Sequence, residues 1–140
     1  MPTSLILSFA LVAATVAIHA TGLTGLLHFV AAEFKRASGR PKLTWLLIRI
    51  VWILIAIHGI EICVWAFAYR LSGSLPDLNT AFYFSGTTYT TIGYGDYVLS
   101  PPWRMLAPVE GMTGILMCSL SGAFFFAVVS KALKHRFEKE

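Results

Sequence analysis

The chain has 140 residues, 56% of them hydrophobic and only 13% charged, with a net charge of +4. A soluble domain carries about 25% charged residues, and so few charges cannot cover a compact body in water. This excludes an ordinary soluble enzyme and a disordered tail, leaves no room for a sizeable soluble domain, and indicates an integral membrane protein.

Three apolar runs follow in chain order: Leu5 to Ala32, Trp45 to Tyr69, and Trp103 to Val129. Each exceeds the roughly 20 residues that a helix needs to cross the hydrocarbon core. The first run lacks a charged n-region and is longer than a signal h-region, so it reads as a retained helix. Its small residues Ala10, Ala13, Ala14, Ala17, Gly22 and Gly25 are expected to allow close helix contact. Basic residues gather after the first run (Lys35, Arg36, Arg40, Lys42, Arg49) and in the tail (Lys131, Lys134, Arg136, Lys139). The positive-inside rule makes both clusters cytoplasmic, places the N-terminus outside, and lets the flanks touch anionic lipid rather than nucleic acid. Cys63 and Cys118 lie in apolar runs and read as reduced thiols.

The segment from Leu71 to Pro102 is too polar to span, and a re-entrant element fits it: a short helix in, an extended stretch out. Backbone of this kind is tolerated at membrane depth only beside protein or a water path. Within it, Thr91-Ile92-Gly93-Tyr94-Gly95 alternates glycine with other residues. Glycine reaches backbone angles closed to other residues, so successive carbonyls can turn to one side and replace the hydration shell of a cation. The Thr91 hydroxyl adds an oxygen. The preceding helix aims the negative end of its dipole at the membrane centre.

Thr90-Thr91-Ile92-Gly93-Tyr94-Gly95-Asp96 resembles the selectivity-filter signature of potassium channels, and the helix–pore loop–helix order over residues 45–130 resembles their pore domain. The resemblance implies an all-α membrane protein. It has three transmembrane helices, a re-entrant pore helix and an extended filter, and assembles as a homotetramer in the cell membrane. It implies K+ sites at Thr91, Ile92, Gly93 and Tyr94, with K+ as permeant ion and no cofactor. The implied organisation is an extra helix and basic linker (1–43), a pore domain (44–130) and a short basic tail (131–140). The pore domain divides into outer helix 44–70, pore helix and filter 76–97, and inner helix 101–130. Around the filter the pattern departs from the best-known members. Tyr83 and Phe84 stand in place of two Trp, and Thr87 in place of a Glu that pairs with the Asp after the filter. Phe84 has no donor for Tyr94, whereas Tyr83 can bond Asp96.

Ser100-Pro101 reads as the start of the inner helix, and Pro108 as a bend inside it. Gly114 aligns with the family's hinge glycine, and Gly122 is a second flexible point; tight packing is the other reason for either. Helical spacing puts Ile115, Cys118, Gly122 and Phe126 on one face, which the resemblance makes the cavity lining. Phe126 is a candidate hydrophobic gate, with contact to lipid or neighbouring helices as the alternative.

Glu61 and Glu110 lie at membrane depth, where ionisable groups face protein or water. His58 shares a face with Glu61 at i, i+3. The three form a candidate polar brace behind the filter, either proton-sensitive or purely a lock on packing. His19 and His28 have no assigned partner. The function that the resemblance implies is passive potassium conduction, without enzymatic chemistry. The readings set against it are a non-conducting pore-like subunit and a metalloprotein built on His58, Glu61 and Glu110. No helix carries Lys or Arg at every third position, so no voltage sensor is expected.

Overall fold

The computed structural model describes residues 2–36 and 43–137. Arg40, Lys42 and Lys139 of the basic clusters lie outside them. Four helices follow in order: α1 (Pro2–Arg36), α2 (Leu43–Leu71), α3 (Leu78–Tyr89) and α4 (Leu106–Phe137). There is no strand among the described residues. Three of the helices, α1, α2 and α4, are long and apolar enough to cross a membrane.

The long helices pack up-down-up, and two apolar clusters mark the ends of the bundle. At one end Leu11 of α1 meets Trp65 and Tyr69 of α2 and Leu106 of α4. At the other, Leu26 and Val30 of α1 meet Leu46 and Ile50 of α2 and Val128 of α4. The second end also carries cations: Arg49 bonds Glu33 at 2.9 Å and lies over Phe29, and Lys131 lies over Phe34. The short helix α3 wedges between α2 and α4 near the first end.

The face by which α1 joins the bundle is not the alanine face. Ala10, Ala13 and Ala17 are exposed, and Gly25 has open space around it. The buried stripe is Ser4, Ser8, Leu11, Thr15, His19, Leu26 and Val30. Gly22 extends it, lying against the Ile57 side chain. Hydropathy cannot select a face on a helix that is apolar all round. The polar residues select it instead, because a hydroxyl facing hydrocarbon needs a partner. Thr15 and Ser8 bond carbonyls one turn back, and Trp65 Nε1–H of α2 donates to Thr15 at 3.0 Å.

The start of α4 also differs from the expectation. Ser100-Pro101 opens a turn, with Trp103 N–H on the Ser100 carbonyl at 2.9 Å, and the helix begins at Leu106. Pro108 therefore falls in the first turn. Helical N–H groups there have no partner in the helix, so the proline removes no bond and requires no bend.

Gly114 is buried where the end of α3 crosses α4, and an added Cβ would overlap the Tyr89 backbone carbonyl. Nothing lies within 4 Å of a Cβ added at Gly122. Gly114→Ala should therefore destabilise the fold by roughly 1–3 kcal/mol, the usual cost of overpacking. Gly122→Ala should be neutral or slightly stabilising. Thermal unfolding of the purified variants in detergent checks the contrast, and equal stability of the two would refute the packing role of Gly114.

Candidate functional site

The site is built on α3 and the residues after it. Asp77 caps α3, accepting from Thr80 N–H at 3.0 Å and Thr80 Oγ1–H at 2.6 Å. These bonds hold its carboxyl below the usual carboxylate range. The helix ends at Tyr89, and Thr90 N–H still reaches the Gly86 carbonyl. From there the backbone alternates. Thr91 has φ 63°, Gly93 φ 52° and Gly95 φ 77°, and Thr91 is the single described non-glycine residue with positive φ. A β-branched residue in that region costs about 1–3 kcal/mol and persists only where its surroundings impose it. Here Thr91 N–H bonds the Thr88 carbonyl, and Gly93 N–H bonds the Thr87 carbonyl, both at 3.0 Å.

Aromatic residues flank this stretch. Tyr83 stacks on Tyr94, with centroids 6.5 Å apart and planes 11° from parallel, and meets Tyr97 edge-on. Asp96 beside its hydroxyl raises the phenol above its ordinary range. Phe84 packs edge-on against Tyr69, with centroids 5.1 Å apart, and the Thr87 hydroxyl bonds the Phe84 carbonyl. Ile92 and Tyr94 are 55% and 69% exposed in the single chain. A groove of about 610 Å³ separates the stretch from α4, lined among others by Thr91, Tyr94, Arg104, Met112 and Ile115.

Glu61 and Glu110 both have 0% exposure, and each binds α3. Glu110, on α4, accepts from Ser85 of α3 at 2.5 Å and from Tyr69 of α2 at 2.6 Å. Glu61, on α2, accepts from the Tyr89 hydroxyl at the end of α3 and from His19 Nδ1 of α1 at 2.9 Å. His58 Nδ1 lies 2.9 Å from the Tyr89 hydroxyl and 3.2 Å from Glu61, while its Nε2 meets the Ser121 hydroxyl of α4 at 3.0 Å. The brace is thus two separate centres, not one His58–Glu61–Glu110 cluster.

The metalloprotein set of His58, Glu61 and Glu110 is consequently not assembled. His19, His58 and Glu61 do bring ligand atoms within 4.8 Å of one another. Their Nδ1 and carboxylate atoms, however, are joined to one another and to Tyr89 by hydrogen bonds, which accounts for the cluster without an ion. His19 is the residue that sequence reasoning missed. A lone polar group in an apolar span was the available signal; the partner, 42 positions away, was not. His28 bonds the Thr24 carbonyl of its own helix at 2.8 Å. On α4, Ile115, Cys118, Gly122 and Phe126 are all exposed in the single chain, while Phe124 and Phe125 pack against the Leu26–Ile50–Val128 cluster. Cys63 and Cys118 are free thiols.

Removing the Glu110 carboxylate leaves the Tyr69 hydroxyl without its acceptor, while Ser85 Oγ can still donate to the Ile62 carbonyl at 3.0 Å. Glu110→Leu should cost about 1–3 kcal/mol for the Tyr69 hydroxyl left unsatisfied. Glu110→Gln retains an acceptor and should cost less. Unfolding midpoints in detergent check the order, and a Leu variant as stable as wild type would refute it.

A family model described as an ion channel matches residues 57–131, more than half of the chain. No characterised protein and no solved structure compared with the chain matches it significantly. The matched region takes in the second half of α2, all of α3, the alternating stretch and most of α4. The chain is a multi-pass membrane protein and belongs to the ion-channel family, with a domain of the two-helix, potassium-channel type.

Proposed function

We propose that the channel is potassium-selective and works as a homotetramer, with Thr91, Ile92, Gly93, Tyr94 and Gly95 of four chains forming one filter. The observation that carries this reading is the positive φ at every second residue, Thr91, Gly93 and Gly95, on a TIGYG sequence directly after the end of α3. Such alternation favours carbonyls turned to one side, where they replace the water around a dehydrated K+. The Thr91 hydroxyl supplies a further oxygen, and the C-terminal dipole of α3 favours a cation below it. Conduction is then passive and single-file, with no cofactor.

One chain supplies one loop, and a closed ring of carbonyls requires several. The exposed Ile92 and Tyr94 and the groove beside them leave surface for a neighbouring copy to cover. Tyr83, Phe84, Thr87, Thr90 and Asp96 support the filter. Tyr83 does so by stacking on Tyr94 beside Asp96, in place of the missing Trp pair. Ile115 and Cys118 line the cavity. Gly122, with open space around it, is the better site for a bend than the packed Gly114, and Phe126 forms the constriction that gates by dewetting. Lys35, Arg36, Arg49, Lys131 and Lys134 belong to one end of the bundle. The positive-inside rule makes that end cytoplasmic and the N-terminus external, in the plasma or inner membrane, with anionic lipid at the flanks.

Reconstituted in liposomes, the wild type should pass K+ and Rb+ far faster than Na+, and Gly93→Ala should abolish that flux. Native mass measurement should give four chains per particle. Intact tetramers that pass no K+ would overturn the reading in favour of a non-conducting subunit.

A further inference from the structure

The N-terminal helix lies wholly outside the region matched by the ion-channel family, yet it reaches the pore. His19 is 1% exposed and meets Glu61 Oε1 at 2.9 Å, and the other Glu61 oxygen accepts from the Tyr89 hydroxyl. Tyr89 is the last residue of α3. Its backbone carbonyl presses on Gly114, and the alternating stretch starts two residues later. A chain of three side chains therefore runs from α1 through Glu61 to the point where the filter leaves its helix.

The hydrogen positions in this chain follow from the contacts. The Tyr89 hydroxyl donates to Glu61, so its oxygen can only accept from His58, which puts a His58 proton on Nδ1, facing Tyr89 and Glu61, with Nε2 meeting Ser121. His19 Nε2 is the one buried side-chain nitrogen or oxygen without a partner among the described residues. A bare lone pair there costs less than an orphaned N–H, so the His19 proton sits on Nδ1 and is donated to Glu61. Groups facing Glu61 come from every packed helix: His19 from α1, His58 from α2, Tyr89 from α3 and Cys118 from α4. His19 supplies the donor to the oxygen that Tyr89 does not use. Without it, a carboxylate with 0% exposure has to rearrange its remaining donors, and the Tyr89 hydroxyl is one of them.

We propose that His19 is a positioning residue for the filter: through Glu61 it fixes the Tyr89 end of the pore helix, which makes the N-terminal helix a working part of the pore. The proposal rests on the channel reading above for its effect on ion flux. The bland alternative is that α1 only packs against the bundle, and Thr15, which joins α1 to Trp65 without touching Glu61, serves as the control for it.

The test uses full-length protein in liposomes and compares His19→Leu, His19→Asn and Thr15→Val. An Asn amide can place an N–H where Nδ1–H was, and Leu cannot. His19→Leu should lower the K+-to-Na+ flux ratio by on the order of tenfold, a typical size for coupling between two sites. His19→Asn should restore the ratio to within about threefold of wild type, the smaller part of that same range, and Thr15→Val should leave it unchanged. A second readout does not depend on conduction. With fluorotyrosine incorporated, the Tyr89 resonance, identified by its loss in Tyr89→Phe, should shift in His19→Leu and stay in place in the other two. Should the Leu variant not assemble, His19→Gln, one bond too long for the Nδ1 position, replaces it in both measurements. A wild-type flux ratio in the Leu or Gln variant, equal impairment of the Asn variant, or equal impairment of Thr15→Val would each overturn the proposal. A wild type that passes no ion fails the channel reading alone. The Tyr89 resonance then still decides whether His19 acts through Glu61, since an unmoved resonance overturns the coupling.

Discussion

A carboxylate with no exposure needs donors, and α3 offers one to each of the two carboxylates that flank it. Ser85 binds Glu110 and Tyr89 binds Glu61, one bond from a helix on either side. The rest of the pore depends on this suspension. A 12-residue helix is short for independent stability, and α3 is held by side chains at its middle and its end. Tyr69 completes the Glu110 centre from α2, so that α2, α3 and α4 meet at a single buried acid. The bonds are directional as well as attractive. They set the rotation and depth of α3, and with them the place where Thr90 and Thr91 begin.

The Tyr89 end is constrained from three sides. Its hydroxyl is bound by Glu61, its ring faces His58 edge-on at 5.8 Å, and its carbonyl fits only because residue 114 has no Cβ. The backbone then enters a left-handed conformation at Thr91, which is unfavourable for a β-branched side chain. Such a conformation requires a rigid support beneath it, and the packing at Gly114 with the two bonds into the Thr87 and Thr88 carbonyls supplies one. Farther along, one ring, Tyr83, stacks on Tyr94 and lies beside Asp96. The alternating stretch is therefore braced by aromatic stacking as well as by its backbone bonds.

Contact between α1 and the bundle illustrates how the membrane inverts a rule of soluble proteins. In water, apolar residues mark the buried face. In hydrocarbon, an apolar face is indifferent to burial, and Ser4, Ser8, Thr15 and His19 mark the contact instead. Ala10, Ala13 and Ala17 of the same helix, which look like packing residues by size, face outward in the single chain. The same logic applies to Glu61 and Glu110, whose burial among donors follows from the cost of leaving them in lipid.

Much of this protein was legible without coordinates. Three spans followed from hydropathy, because a helix that crosses must be apolar along about 20 residues. The short helix and the irregular stretch followed from composition, and the TIGYG sequence identified the place of the site. Membrane depth placed Glu61 and Glu110 near the short helix, since helical rise converts sequence separation into distance. Other features depend on contacts between residues far apart in sequence, which no local pattern encodes. These are the division of the brace into two centres, the pairing of His19 with Glu61, the face by which α1 packs, and the role of Gly114. Even the start of α4 belongs here, because Ser100-Pro101 is equally suited to a turn and to a helix cap, and the packing of Leu99 and Leu106 against Trp65 and Tyr69 in one cluster accompanies the turn. Sequence by itself determined which segments enter the membrane and where the carbonyl-rich stretch lies, since both follow from local composition and backbone freedom. Only the tertiary structure decided which buried acid holds which donor, since that depends on side chains meeting across four helices.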